Sequence, residues 1–186
     1  VVARFRPTNK REESEADGAT RVVVNFKSES SLELENHANP TSQPHLFNFD
    51  HVIPMDRTQK QVYETTARPL LDDVFGGRSV TLFAYGQTGA GKSHTMMGKL
   101  GDPDLQGIIP RLVEDLFIHI ENTPDVEFTV KVSFVEIYNE QIRDLLDTTK
   151  QNLKIRASND SVWLEGCTQQ YVTTSKQVYD VIEKGS

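Results

Sequence analysis

Eight consecutive residues carry the strongest chemical signal in this 186-residue chain: Gly86-Gln87-Thr88-Gly89-Ala90-Gly91-Lys92-Ser93. They follow the pattern G-x-x-x-x-G-K-[ST], whose chance occurrence in a chain this long is on the order of one in a hundred at ordinary composition. Gly86, Gly89 and Gly91 allow the backbone to curl so that successive N–H groups face inward as an anion nest. A helix starting near Lys92 would add the positive end of its dipole to that nest. Lys92 would place an ammonium group on the β- and γ-phosphates of a nucleotide, and Ser93 a hydroxyl on the Mg²⁺ that bridges them. Lys92 and Ser93 are therefore the candidate catalytic residues, Ser93 the candidate metal ligand, and Gly86 to Ser93 the candidate phosphate-binding set.

Phosphoryl transfer also needs a second carboxylate for the metal and a group that orients the attacking water. The D-x-x-G string Asp104-Leu105-Gln106-Gly107 follows the turn-forming Lys99-Leu100-Gly101-Asp102-Pro103, so it is expected to be a surface turn. Glu136 closes a strand-like run, with Glu140 and Asp144 following at helical spacing, and a structural role there is as probable as a functional one.

The elements that must position the loop are readable from hydrophobic period and punctuation. Val80-Thr81-Leu82-Phe83-Ala84-Tyr85, apolar on both faces, predicts a central strand running into the loop. Val1 to Phe5 predicts a first strand, stopped by Pro7, and Thr8 to Thr20 an exposed loop. Val22 to Val24, Leu32 to Glu35 and a single run from Leu46 to Ile53 read as further strands, with residues 36 to 45 as loop. Thr58 and Gln61 form a capping-box pattern ahead of Val62, Thr66, Leu70 and Val74, which predicts a helix ended by Gly76-Gly77. Pro69 predicts a kink or early break within it. Pro110, with Leu112, Val113, Leu116, Phe117 and Ile120 on one face, predicts another helix. Alternation from Val126 to Phe134 predicts a long strand, and Ile142, Leu145 and Leu146 a short helix after it. Leu153 to Arg156 and Val162 to Glu165 predict a hairpin. A last helix is expected from about Thr174 to Gly185, burying Val178, Val181 and Ile182. Strands alternate with helices, so the fold class is α/β.

Composition narrows the field. The charge of −7 argues against a broad nucleic-acid surface, no apolar run approaches a membrane span, and no signal-peptide pattern opens the chain. Cys167 is the single cysteine, which rules out an internal disulfide framework or a cysteine-based zinc cluster and fits a reducing, intracellular setting. There is no initiating Met, and the chain reads as cut from something longer.

Beyond the generic loop, Phe83-Ala84-Tyr85-Gly86-Gln87-Thr88-Gly89-Ala90-Gly91-Lys92-Ser93-His94-Thr95-Met96 resembles the phosphate-loop signature of kinesin motor domains. In the right order, Arg4-Phe5-Arg6-Pro7 resembles R-x-R-P, Phe49-Asp50-His51-Val52 resembles F-D-x-V, and Gly107 to Arg111 resembles G-I-I-P-R. Ser133 to Glu140 with Arg143-Asp144-Leu145-Leu146 resembles S-[YF]-x-E-I-Y-N-E-x-x-x-D-L-L, while Asn152-Leu153 and Glu165-Gly166-Cys167 are similar to conventional kinesin heavy chains. The resemblance covers nearly the whole chain. It implies a P-loop NTPase fold of kinesin-motor type, a central mixed β-sheet with helices on both faces, present here incompletely. Residues 1–186 would be the N-terminal, nucleotide-binding part of one motor domain. It further implies ATP/ADP and Mg²⁺ as ligands, with Arg4, Arg6, Pro7 and His94 around the base. Guanidinium, proline and imidazole groups suit that place because they stack on a planar ring with few base-specific hydrogen bonds.

The implied partner is the microtubule, with tubulin contacted in part by the hairpin around Arg156 to Ser161, and the implied location is the cytoplasm and its cytoskeleton. Neither nucleic acid nor membrane is expected as a partner, and the parent is expected to dimerise through a downstream coiled-coil stalk. The switch strings N-x-x-S-S-R-S-H and D-L-A-G-S-E do not occur in these residues, so residues 1–186 alone are expected to show no microtubule-stimulated turnover. A non-motile kinesin-like module that binds nucleotide or microtubules is the alternative. A GTPase is disfavoured because Asn9-Lys10-Arg11-Glu12 does not supply an N-K-x-D guanine reader. Base recognition by stacking predicts only modest discrimination between ATP and GTP. A competition binding assay checks it, and a strong GTP preference would count against the stacking set.

Overall fold

A computed structural model describes residues 1–15, 23–35, 42–159 and 161–185 of the chain. The chain divides into two compact units, Val1–Leu112 and Val113–Ser186.

In the first unit, β1 (Val2–Arg4) pairs parallel with β5 (His51–Ile53), in the register Val2↔His51, Ala3↔Val52 and Arg4↔Ile53. A separate antiparallel sheet has the order β2 (Val24–Phe26), β3 (Ser31–Leu34), β4 (His45–Asn48). The single strand expected from Leu46 to Ile53 is thus two strands. The chain changes partners at Phe49 and Asp50, whose N–H groups donate to Ser30 and Val1 rather than to one continuous ladder. The expected loop from Thr8 also departs from expectation, because Lys10–Glu15 forms a short helix, α1. Asn9 and Glu12 cap it reciprocally: Glu12 N–H donates to Asn9 Oδ1 (3.0 Å) and Asn9 N–H to Glu12 Oε2 (2.9 Å). Val22 and most of the expected loop at 36–45 lie outside the described residues.

The helix signalled by Thr58 and Gln61 forms with its capping box intact, as α2 (Gln59–Thr66). It breaks at Ala67 and resumes as α3 (Arg68–Phe75) with Pro69 in its first turn. Proline has no N–H for the preceding turn and fits best where none is required, so a break just before it is the low-energy solution. Gly77, at φ +80°, turns the chain away after α3. Ile53, Val62, Tyr63, Ala67 and Ile108 form the core of this unit, with Val2, Leu82, Met96 and Leu112 packed against it.

Val80 to Tyr85 forms no strand and belongs to no hydrogen-bonded ladder among the described residues. Leu82 packs on the core, whereas Phe83 and Tyr85, of the opposite parity, are 80% and 94% exposed. Of this apolar run, Leu82 is packed while Phe83, Ala84 and Tyr85 are exposed. A ladder needs a neighbour's N–H and C=O groups, and hydrophobicity alone cannot provide them. The phosphate-loop helix α4 (Lys92–Met96) follows, and then α5 (Ile108–Glu121), which starts in the first unit and ends in the second.

In the second unit, β6 (Val130–Val132) pairs antiparallel with β11 (Gln170–Val172), and Lys131 Nζ lies 5.0 Å from the centre of the Tyr171 ring. The long strand expected from Val126 is confined to these three residues because the partner supplies three. Phe128 instead packs edge-on against His119 of α5, with ring centres 6.3 Å apart. The helix expected around Ile142 is replaced by a hairpin of β7 (Val135–Tyr138) and β8 (Gln141–Asp144), in which Ile142 sits opposite Ile137. Asn139 (φ 49°) and Glu140 (φ 60°) make its two-residue turn, whose left-handed backbone angles match the right-handed twist of paired strands. The hairpin of β9 (Ile155–Ala157) and β10 (Val162–Leu164) forms as expected, with Asp160 outside the described residues. The last helix, α6 (Ser175–Gly185), buries Val178, Val181 and Ile182. Gly185 ends it with no room to spare, since a Cβ there would stand 2.4 Å from Phe134 Cδ1.

Glu140 pays the steric cost of the left-handed region, about 1–2 kcal/mol for a non-glycine residue. Glu140→Gly is expected to raise the unfolding free energy by about 1 kcal/mol, part of the gain being offset by unfolded-chain entropy. Urea unfolding measures this, and a lower midpoint in the variant would contradict the turn assignment.

Candidate functional site

The phosphate loop turns through left-handed backbone at Gly89 (φ 83°) and at Gly91 (φ 95°), which is the N-cap of α4. Only glycine takes these angles without a Cβ penalty, and the pair aims the loop and the start of the helix at one point. Lys92 leads α4 and folds its ammonium over the loop, donating to Gly86 O (2.8 Å) and Gln87 O (2.9 Å). Ala90 N–H closes a turn onto Gln87 O at 3.1 Å.

The strand expected to flank the base reaches the same loop. Arg4 Nη1 donates to Thr95 Oγ1 (2.8 Å), and Thr95 Oγ1 donates to Gly91 O (3.0 Å). Burial pulls the Arg4 guanidinium below its ordinary pKa. Arg6 Nε donates to Gly89 O (2.9 Å), while its two terminal nitrogens hold Glu12 bidentately. The Arg6 guanidinium, followed by the Asn9 N–H, holds the Glu12 carboxyl down to about 2. A carboxyl depressed from 4.5 stabilises the fold above that value and loses its contribution as pH falls toward 2, so the pair is intact throughout the neutral range.

Arg4, Arg6, Pro7, Gly89, Ala90, Gly91, Lys92 and His94 line one cavity of about 670 Å³, within the size range of small-molecule sites. Gly86, Gln87, Thr88 and Ser93 are not on its wall. Gly86 and Gln87 contribute the carbonyls that hold Lys92, and the Ser93 side chain is exposed in the first turn of α4. The second carboxylate is not supplied by the two sequence candidates. Asp104 lies in an exposed turn organised by Asp102, whose Oδ1 accepts from Asp104 N–H and Leu105 N–H, in agreement with the expected surface turn. Glu136 pairs across the β7–β8 hairpin with Arg143 (3.1 Å), which is a structural role.

Sequence reasoning left out several residues that shape the site. Gln59, 4% exposed, donates through Nε2 to His94 O (2.6 Å) and Leu105 O (3.2 Å), tying α2 to α4 and to the loop that follows. Gly98 and Gly107 allow that loop to close: an added Cβ would lie 2.0 Å from Leu105 O at Gly98 and 2.6 Å from Met96 O at Gly107. The pattern Asn9-x-x-Glu12 is a capping signature that could have revealed both α1 and Glu12. Nothing local in the sequence points Gln59 at His94.

An α/β chain with a strand-side arginine pair against a glycine-rich loop and a helix N-terminus defines a P-loop nucleotide-binding protein. The family model described as the kinesin motor domain matches residues 4–186, and the chain belongs to that family. It is 43% identical over its whole length to kinesin-related protein 3 of Dictyostelium discoideum, of which it covers 15%. It is 42% identical, again over its whole length, to kinesin heavy chain isoform 5C of Rattus norvegicus, covering 18% of that protein. The solved structure of a fast kinesin superposes with a TM-score of 0.90 at 38% identity, over 99% of this chain and 51% of that one. The chain thus spans less than a fifth of these two relatives and about half of the solved structure.

Removing the Lys92 ammonium would remove the cation that leads α4 and lies over the loop carbonyls, a group placed to meet a phosphate. Lys92→Ala is expected to weaken ATP binding by roughly tenfold to a hundredfold. Titration calorimetry measures it, and equal affinities would remove the phosphate-loop assignment.

Proposed function

We propose that residues 1–186 are the N-terminal, nucleotide-binding part of a single kinesin motor domain, in a protein that couples ATP hydrolysis to movement along microtubules. The observation that carries this reading is the convergence of Lys92, the left-handed glycines of the loop and the Arg4–Arg6 strand on one cavity.

ATP or ADP would lie with its phosphates on the Gly86–Ser93 loop and its base beside Arg4, Arg6, Pro7 and His94. Lys92 already sits among the loop carbonyls, so a phosphate entering the nest meets its ammonium without a large movement of the chain. Loop N–H groups and Lys92 would orient the phosphates and balance the charge that grows in phosphoryl transfer. Ser93, exposed in the first turn of α4, would offer Mg²⁺ one hard hydroxyl oxygen, and the phosphates themselves would supply others. Bound there, the ion would offset the negative charge of the phosphates.

Tubulin, a cytoskeletal and cytoplasmic location, and a dimeric parent joined by a coiled-coil stalk belong to the same proposal, supported by the family. The net charge of −7 supports leaving nucleic acid out of the partner set. The test is the steady-state ATPase rate of the complete protein with and without polymerised microtubules. A rate that rises with microtubule concentration, and that Lys92→Ala abolishes, is expected. Tight ATP binding with no turnover at any microtubule concentration would replace the motor with a non-motile binding module.

A further inference from the structure

Arg6 is more tightly engaged than an ordinary half-exposed arginine. A guanidinium has five N–H donors. In Arg6, Nε donates to Gly89 O, Nη1 to Pro7 O (2.9 Å) and to Glu12 Oε2 (2.8 Å), and Nη2 to Glu12 Oε1 (2.5 Å). With four edge donations going to protein acceptors, Arg6 has mainly its planar face to offer a ligand in the cavity it lines. Glu12 accepts two of the four, and it is itself fixed by the cap with Asn9 at the start of α1. The chain of contacts runs from α1 through Arg6 to the phosphate loop.

We propose that Glu12 is a positioning residue for the nucleotide base: it holds the Arg6 guanidinium as a fixed plate on the cavity wall, so that a planar heterocycle stacks on it while the phosphates occupy the loop. The proposal rests on the nucleotide reading above and adds a residue to it. Glu12 itself is not on the cavity wall. It acts by removing the rotamer freedom that an unpaired Arg6 would have to surrender when a base binds.

Glu12→Gln isolates this role. Glutamine at the third helical position still serves a capping box, so α1 keeps its cap while the bidentate charge-assisted pairing with Arg6 is lost. In the complete protein at neutral pH, Kd is measured for ATP, for ADP and for inorganic tripolyphosphate, each with Mg²⁺. The expected result is a rise of roughly threefold to tenfold for ATP and ADP, with tripolyphosphate changed less than twofold. In an Arg6→Ala background, Glu12→Gln is expected to cause no further loss. Unchanged ATP affinity would overturn the proposal. An equal loss for ATP and tripolyphosphate would also overturn it, since general loosening of the loop does not distinguish base from phosphate. Wild-type protein that binds neither ligand would remove the nucleotide reading itself, and this proposal with it.

Discussion

The first unit is organised around the carbonyl groups of the phosphate loop. A backbone that turns its N–H groups inward to form an anion nest must turn carbonyls elsewhere, and each needs a donor. Lys92 takes those of Gly86 and Gln87, Arg6 takes that of Gly89, and the Thr95 hydroxyl takes that of Gly91. Two of the donors are cations near the site where phosphate would bind, so the groups that stabilise the loop's shape also give it positive charge. Gly89 and Gly91 take the left-handed backbone that this turn requires, and Arg6, just past β1, reaches it.

Support for that arrangement comes from close packing and buried hydrogen bonds. Arg4 and Arg6 share one side of the first strand's path and reach α4 and its loop, respectively. The parallel pairing of β1 with β5 sets their height, and Ile53 at the end of β5 belongs to the core on which α2 packs. Gln59, at the start of α2, reaches the backbone of α4 from the same core side. Gly98 and Gly107 then permit a backbone approach that no side chain would tolerate. Small residues and one buried amide thus determine where α4 begins and ends.

The second unit depends on a buried carboxylate. Asp144 is 1% exposed, and its oxygens accept from the N–H groups of Leu146 (2.9 Å), Asp147 (3.2 Å) and Thr168 (2.6 Å). Burial alone would raise its pKa, but the hydrogen bonds from Thr168, Leu146 and Asp147 outweigh burial and hold it below the usual value. The same contacts end β8 and turn the chain, which is why Leu145 and Leu146 do not continue as a helix. Cys167, next to Thr168, is shifted the other way, its thiol raised by burial and by the Asp144 charge.

The sequence alone determined the phosphate loop, its glycines and lysine, the helix cap at Thr58, the break before Pro69 and the family. These depend on residue identity within a few positions, where backbone conformation and hydrogen bonding are local. Tertiary structure decided the rest. Leu46 to Ile53 split between two sheets, and Val80 to Tyr85 joined no ladder among the described residues. Ile142 joined a hairpin, although its spacing to Leu145 and Leu146 suits a helix. Strand pairing and bent turns depend on which distant backbone presents its donors and acceptors, and hydrophobic period is blind to that partner. The same holds in the site. Arg4, Arg6 and His94 were legible as motif residues, but the pairing of Arg6 with Glu12 and of Gln59 with His94 required the folded chain. A hydrogen bond between side chain and distant backbone leaves no spacing in the sequence by which to find it.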